Sequence, residues 1–371
     1  QSPSPPFTIK EDGSVDFHNL KKIISVKKDD LIVTVTPATP GLPGFTVTGQ
    51  SLPGIQGKKT GIVAGEHIDK QAKQHDWLAA VDGYLFFIDQ VVSVHSILTI
   101  AGDVDFSTGN IDFLGDVYIV GNVLDEFTVK ASGSIFIGGS VEAAQLEACQ
   151  TICVQQGVFG KEKGRVHAQQ DIIATFYQNA RVEAGRDVIA GNQILNSRIK
   201  ARRHIIAKTG QGRIIGGELL AGHTLTAKQI GSDLGTRTTI ETGLDYHILD
   251  QMTRLGKKRD TLTRQAAQLA DWIKKNKGLP TEPINPNFLL AQRKQVEIQL
   301  ILDQIQSEYQ ELSQSLYPPT EAQITALGIL MPDVYIKIRD ARTKVISPHT
   351  HCTVKYNPES ERIELRKFKI G

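Results

Sequence analysis

The sequence is poor in cysteine and in aromatic residues, and it contains no long apolar run. The three cysteines, Cys149, Cys153 and Cys352, are an odd number without a regular spacing, which argues against a secreted disulfide-linked scaffold. No stretch of 18 apolar residues is present, so the sequence predicts no membrane insertion. The chain starts at Gln1 with no signal-like segment, and it is therefore predicted to be a cytoplasmic protein or a piece of one.

The chain as a whole also lacks an excess of either charge. It has 42 Lys and Arg residues against 40 Asp and Glu residues, a net charge of +2, so it is not an obvious polyanion binder. Aromatic residues make up only 6%, whereas glycine accounts for 33 of the 371 residues. A glycine-rich and aromatic-poor chain of this length suits repetitive β structure with many tight turns.

Seven decapeptides share one apolar pattern. They begin at Asn110, Thr128, Gln145, Arg165, Arg181, Arg198 and Glu218. The second and eighth positions are always aliphatic, the fourth is Ala in six of seven, and the tenth is Ile, Val or Ala. The residues at the eighth position are Val117, Ile135, Ile152, Ile172, Val188, Ile205 and Leu225. Apolar residues two positions apart indicate strands with one buried face.

Such strands can bury their apolar face only if successive repeats stack in register. The repeat therefore predicts a mainly β protein, a right-handed parallel β-helix (solenoid). Its hand follows from the general preference for right-handed crossovers between parallel strands.

Residues Leu244–Tyr317 have a different period. Apolar residues recur every seven positions from Ile248 to Leu269 and again from Ile298 to Leu312, with Gly278-Leu-Pro280 between the two runs. This pattern predicts an inserted antiparallel coiled-coil hairpin. The alternative is a pair of helices that pack flat against the β-helix.

The flanking regions complete a division into four segments. Residues 1–95 form an N-terminal Pro/Gly-rich β unit that caps the column, and Asp82-Gly83 is predicted to be a hairpin turn within it. Residues 96–243 form the β-helix, and 244–317 the coiled-coil hairpin. Residues 318–371 form a C-terminal β segment that returns to cap the column.

Several motifs resemble those of one bacterial family. They are Thr39-Pro40-Gly41-x-Pro43-Gly44, Ala80-Val81-Asp82-Gly83, Gly102-Asp103-Val104-Asp105, Gly212-Arg213-Ile214-Ile215-Gly216-Gly217 and Ile230-Gly231-Ser232. In their order they resemble the flagellar assembly protein A family, formerly a domain-of-unknown-function family, over nearly the whole chain. The resemblance implies a bacterial cytoplasmic protein, with the cell pole as a more specific site, that takes part in polar flagellum assembly. It also implies the glucose carrier component of the phosphotransferase system or the flagellar machinery as partners. It carries over no catalytic residue.

The best enzymatic alternative rests on an acidic cluster, Asp103, Asp105, Asp112, Asp116 and Asp125. Parallel β-helices can cleave carbohydrates with paired carboxylates, and this cluster could supply them. The competing interpretation is that these residues lie at turns and cap backbone N–H groups. The three cysteines with His349 and His351 could suggest a zinc site, but Cys149 and Cys153 occupy different repeat positions that need not converge on one ion. We expect no metal, no cofactor and no enzymatic activity.

Charge is distributed unevenly along the repeats. Residues 101–160 contain eight acids and one base, a net of −7, and residues 161–213 contain eleven bases and four acids, a net of +7. Arg165, Arg181 and Arg198 share the first repeat position, so a ladder of arginines is expected. The predicted partner-binding residues are Arg165, Arg181, Arg186, Arg198, Arg202 and Arg203.

These arginines suit an acidic protein surface, and the acidic half of a second copy is one candidate. The alternative is a solvated surface ladder. Nucleic-acid binding is not expected, because aromatic residues do not alternate with the bases. The sequence therefore predicts a non-enzymatic scaffold that docks protein partners on a β-helical column and coiled coil, and that can form a homo-oligomer.

Overall fold

The computed structural model describes residues 24–71, 75–88, 90–276, 286–317 and 322–368, together with the short strands Thr8–Ile9 and Val15–Asp16. The chain divides into two compact units, residues 1–184 and 185–371. It is mainly β, with solenoid coils over residues 97–242 and two helices, so the predicted solenoid is confirmed. The predicted loop at Gly278-Leu-Pro280 lies outside the described residues.

The first unit begins with short strands and continues into the solenoid. The short strands are β1 (Thr8–Ile9), β2 (Val15–Asp16), β3 (Ser25–Val26), β4 (Leu31–Thr34), β5 (Gly44–Phe45), β6 (Ser51–Leu52), β7 (Val63–Ala64), β8 (Ile68–Lys70), β9 (Asp76–Ala79), β10 (Gly83–Ile88) and β11 (Val91–His95). The solenoid strands are β12 (Ile97–Ile100), β13 (Ile111–Phe113), β14 (Asp116–Ile119), β15 (Thr128–Ala131), β16 (Ile135–Ile137), β17 (Gln145–Ala148), β18 (Ile152–Phe159), β19 (Arg165–Ala168), β20 (Ile172–Gln178) and β21 (Arg181–Ala184).

The solenoid strands of this unit pair in parallel with the equivalent strand one coil away. One stack runs β12, β14, β16, β18, β20, and the other runs β13, β15, β17, β19, β21. A third inward ladder, which the repeat alignment did not contain, joins Val104, Val123, Val141 and Val158 by single bridges. All four valines are buried, so each coil contributes apolar residues to the core from three directions.

The predicted inward positions are buried in both units. Every residue at the eighth repeat position, from Val117 to Leu225, has a relative exposure of 0%. The residues at the second, fourth and tenth positions are buried as well. The register deduced from the apolar pattern is therefore confirmed.

Aspartate and asparagine at the corners connect one coil to the next. The Asp116 Oδ1 atom accepts a hydrogen bond from the Ser134 amide at 2.7 Å, and Asn122 Oδ1 accepts one from the Ser140 amide at 2.8 Å. Each bond spans 18 residues, which is one coil. Backbone amides that turn away from the strand ladder at a corner thus obtain side-chain acceptors.

The N-terminal strands correct one expectation. Asp82-Gly83 is not a hairpin turn, because β9 pairs with β4 and β8, whereas β10 pairs with β3 and β11. The hairpin of this region joins β10 to β11, and Ile88 pairs with Val91 at its end. The Asp82 carboxylate accepts the Lys28 amide at 2.7 Å where the chain crosses from one sheet to the other. Alternating apolar residues look the same whether a chain reverses or crosses over, so the pattern did not distinguish the two.

The second unit contains further coils, two helices and an antiparallel end. Its strands are β22 (Val188–Ala201), β23 (His204–Ala207), β24 (Arg213–Ala221), β25 (Thr224–Ile230), β26 (Thr238–Thr242), β27 (Gln323–Leu330), β28 (Val334–Ile338), β29 (Ala341–Lys344), β30 (His349–Asn357) and β31 (Arg362–Lys367). The parallel stacks are β22, β24, β26, β28 and β23, β25, β27. The chain therefore rejoins the stack after the helices. Three antiparallel strands follow, with β29 on β28, β30 on β27 and β31 on β30.

The helices are α1 (Tyr246–Asn276) and α2 (Pro286–Ser315), and they contact each other. Asp245 precedes α1, and its Oδ1 accepts the His247 amide at 2.9 Å, which is the N-cap arrangement. The Asp245 amide donates to the Leu316 carbonyl at 2.9 Å. This bond brings the start of α1 next to the end of α2.

Candidate protein-docking surface

Arg165 and Arg181 occupy equivalent positions on neighbouring coils of the first unit. They begin β19 and β21, and their Cα atoms are register partners, so they stand about 4.8 Å apart in the strand-stacking direction. Successive residues of a strand point to opposite sides. Val166 and Val182 point into the core, so the side chains of Arg165 and Arg181, which precede them, are exposed. No ion pair joins either arginine to a carboxylate among the residues that the structure describes. The ladder thus presents two adjacent guanidinium groups to solvent.

Three of the other predicted arginines, all in the second unit, have acidic neighbours within that unit. Arg198 approaches Glu218 at 3.5 Å, Arg202 pairs with Asp245 at 2.8 Å, and Arg203 pairs with Asp187 at 2.9 Å. Arg186 is exposed at the corner that precedes β22. The structure therefore distinguishes Arg165 and Arg181 from the arginines that already contact carboxylates.

The ion pairs of the second unit have a positional role that the sequence analysis missed. Arg202 holds the N-cap Asp245, whose side chain is only 11% exposed, and Lys200 pairs with Asp250 in the first turns of α1 at 3.0 Å. The Lys200 ammonium also lies 5.5 Å from the centre of the Tyr246 ring. These contacts fix the base of the helical insertion to the coil formed by β22. The sequence signal for this role is the Asp residue placed directly before the first helical residue.

Four of the five carboxylates in the acidic cluster accept hydrogen bonds from backbone amides. Asp103 accepts the Asn122 amide at 2.7 Å, and Asp105 accepts the Ser107 amide at 2.8 Å. Asp125 accepts the Ala143 amide at 2.9 Å. Together with Asp116, these residues cap backbone N–H groups, as the competing interpretation of the sequence predicted for the whole cluster. Asp112 differs, because it lies within β13 and is exposed.

Lys161 joins two of the carboxylates in the first unit. Its ammonium is 2.8 Å from both Asp125 and Glu142. Lys161 donates hydrogen bonds to Asp125 and Glu142, and these bonds raise the pKa of Lys161. The bond that Asp125 accepts from Lys161 lowers the pKa of Asp125. A lysine whose pKa is raised keeps its proton, and a carboxylate whose pKa is lowered stays ionised. Neither shift suits a general acid or base at neutral pH.

The cysteines and their histidine neighbours do not form a cluster. Cys149 is exposed, Cys153 is half-buried and Cys352 is buried, and burial raises the pKa of both the Cys153 and the Cys352 thiols. In the described ranges, no group of three or more His, Cys, Asp or Glu side chains is placed to hold a metal ion. No helix within those ranges is both long enough and apolar enough to cross a membrane.

Two family models match the chain. The model described as the Flagellar Assembly Protein A beta solenoid domain covers residues 96–363, and the Flagellar Assembly Protein A N-terminal region covers residues 2–90. No curated protein and no solved structure matches the chain. The solenoid model alone covers more than half of the sequence, and the order of the two regions agrees with the motifs in the sequence. The chain therefore belongs to the flagellar assembly protein A family, a non-enzymatic kind of protein whose name points to a role in flagellar assembly.

Proposed function

We propose that the chain is a non-enzymatic scaffold that docks an acidic protein surface in polar flagellum assembly. The observation that carries the proposal is the exposed pair Arg165 and Arg181, in register on β19 and β21. Two arginines on neighbouring strands about 5 Å apart repel each other mildly, and a carboxylate-bearing partner would relieve that repulsion. Each guanidinium can bind a carboxylate through two parallel hydrogen bonds, which gives the contact orientation as well as strength.

The other four predicted arginines are also proposed to bind a partner, with a smaller contribution to the affinity. Arg186 is exposed, and all four arginines could exchange the contacts they make within the chain for contacts with a partner. Such an exchange would break ion pairs that are already formed. One of them joins Arg202 to Asp245, the residue that caps α1. Arg165 and Arg181 should therefore dominate the affinity.

The proposal includes a more detailed architecture. In the first unit we infer right-handed coils that the N-terminal strands cap, and Tyr84 of β10 supports the cap because its ring packs edge-on against Phe113 of the solenoid at 5.8 Å. In the second unit we infer that the antiparallel β29, β30 and β31 cap the last parallel strands, β27 and β28.

The helices fit a coiled-coil hairpin of the predicted phase. Ile298 and Ile305 are each only 4% exposed on α2, and Met252 is 8% exposed on α1. The remaining residues of the predicted seams that the structure describes are at least half-buried. This burial supports heptad packing of one helix on the other.

The cellular setting follows from the family. We propose a cytoplasmic location that includes the cell pole. The first partners to test are the glucose carrier component of the phosphotransferase system and components of the flagellar machinery. Electrostatic docking of this kind should speed association and weaken with salt, because the Debye length falls from about 10 Å at 0.1 M to about 3 Å at 1 M.

The test compares two variants that change the net charge equally. Arg165→Glu with Arg181→Glu reverses the ladder, and Lys257→Glu with Lys258→Glu reverses two exposed charges on α1 as a matched control. Proteins captured from a polarly flagellated bacterium are identified at about 0.1 M and about 1 M salt. The proposal predicts that the ladder variant loses proteins that the control retains, and that high salt releases the same proteins. Identical sets of captured proteins would contradict it.

A further inference from the structure

Helix α2 is apolar on two opposite faces. Its buried face includes Ile298 and Ile305, which pack in the contact with α1. At about 100° per residue, Leu289, Val296 and Leu300 fall within about 40° of one another on the opposite side of the helix. Their exposures are 45%, 62% and 60%. We call Leu289, Val296 and Leu300 the outer stripe.

Helix α1 provides an internal comparison. Its half-buried seam includes Leu255 and Leu262, and the side of α1 opposite that seam carries exposed polar residues such as Thr253, Asp260 and Arg264. That arrangement is expected for one helix of a solvated pair. The outer stripe departs from it, because three large apolar side chains in line are a packing surface without a partner in the described part of the chain.

We propose that the outer stripe is a homodimerisation surface on which two copies of α2 pack side by side and antiparallel. A twofold axis presents the same apolar stripe from both copies, so the contact is self-complementary. Together with the two α1 helices, it would form a four-helix assembly.

The charges beside the stripe favour a second copy over an unlike partner. The flanks carry both signs, with Arg293 on one side and Asp303 on the other. We consider the antiparallel register that sets Val296 opposite Leu300 of the second copy. In this register, every pair of residues at the same level has the same sum of residue numbers. Arg293 of one copy is therefore level with Asp303 of the other. A twofold axis keeps each flank on its own side, so at both ends of the contact Arg293 and Asp303 of the second copy face each other diagonally across the stripe. A partner of uniform charge would meet one attractive and one repulsive group.

The first experiment measures the mass of the full chain by sedimentation equilibrium over a range of concentrations. The parent chain should be a dimer, and Val296→Glu with Leu300→Glu should weaken dimerisation by about 30-fold or more for each side chain removed. The control is Ala267→Glu with Gln268→Glu, which adds the same two charges to the exposed side of α1. It should leave the dimer intact.

Two outcomes would overturn the proposal. One is a parent chain that stays monomeric at every concentration. The other is a stripe variant that dimerises as the parent does. The stripe variant should fold, because Val296 and Leu300 are exposed and their replacement leaves the contact with α1 in place. Circular dichroism of each variant checks that the helices are formed.

The second experiment tests the register by exchanging charges. Arg293→Asp alone and Asp303→Arg alone should each weaken the dimer, and the double variant should restore it. A double variant no tighter than the single variants would overturn the antiparallel register. The Arg165→Glu with Arg181→Glu variant should keep the parent's mass, which separates failure of this dimer contact from failure of the acidic-partner proposal.

Discussion

Ile172 offers a quantitative test of the inward ladder. Its exposure is 0%, and it stacks in register on Ile152 of the preceding coil. The adjacent residue, Ile173, belongs to the same strand but points outward and is only half-buried. The two isoleucines therefore form a matched pair that differs in the side of the strand each faces.

The structure gives an expected magnitude for each substitution. Ile172→Val should lower the free energy of unfolding by about 0.5–1.5 kcal/mol and Ile172→Ala by about 2–5 kcal/mol, because the closed ladder cannot collapse around the lost methyl groups. For a unit of this size the alanine change corresponds to a fall in Tm of about 4–20 °C. Ile172→Asp should unfold the column, since its carboxylate would be buried among aliphatic side chains.

The assay is thermal and urea unfolding followed by far-ultraviolet circular dichroism. Ile173→Ala should cost about 1 kcal/mol, roughly half the value of a fully buried isoleucine, and Ile173→Asp should fold. Equal losses at the two positions, or an Ile172→Asp variant as stable as the parent, would refute the assigned register.

Three further predictions concern other parts of the molecule. Replacing residues 244–317 by a short Gly-Ser bridge should leave the β-sheet circular dichroism largely intact, because solenoid contacts are mainly between neighbouring coils; an insoluble product would indicate that the helices cover apolar solenoid surface. Asp116→Ala should lower the free energy of unfolding by about 1–3 kcal/mol in urea titrations, since the part-buried Ser134 amide loses its acceptor; no change would mean that water replaces the carboxylate. Burial, followed by the nearby His204, lowers the pKa of His223 below its ordinary 6.5, so the unfolded state binds the proton more readily and stability should fall as the pH drops below that value. His223→Gln should flatten this part of the pH–stability curve, and an unchanged slope would assign it to another group.

The sequence predicted the solenoid well because an inward ladder constrains residue type at fixed phase. Val117 and Leu225 lie 108 residues apart, yet both are fully buried at the same repeat position. The third ladder, from Val104 to Val158, lies outside the ten aligned positions, although Val123, Val141 and Val158 each follow the tenth position of a decapeptide by four residues. A single valine in each coil has no period-two pattern to reveal it.

Contacts between residues far apart in sequence could not be predicted. The partner of Arg202 is Asp245, 43 positions away, and no local pattern pairs an arginine of one strand with the cap of a later helix. The wrong prediction of a hairpin turn at Asp82-Gly83 has a similar origin. β10 pairs with β3, which lies far away in the sequence, and no local pattern indicates that pairing. The outer stripe, in contrast, was available in the sequence, because the seven-residue spacing of Leu289 and Val296 could have been found beside the main heptads.

Chemical footprinting of arginine side chains tests the docking face most directly. An arginine-selective dicarbonyl reagent is applied to the full chain alone and in complex with the partner it captures, and labelling is read by mass spectrometry of peptides. Our account predicts strong protection of Arg165 and Arg181 in the complex, with unchanged labelling of Arg254, which is exposed on α1. Unchanged labelling of Arg165 and Arg181 while other arginines become protected would contradict it.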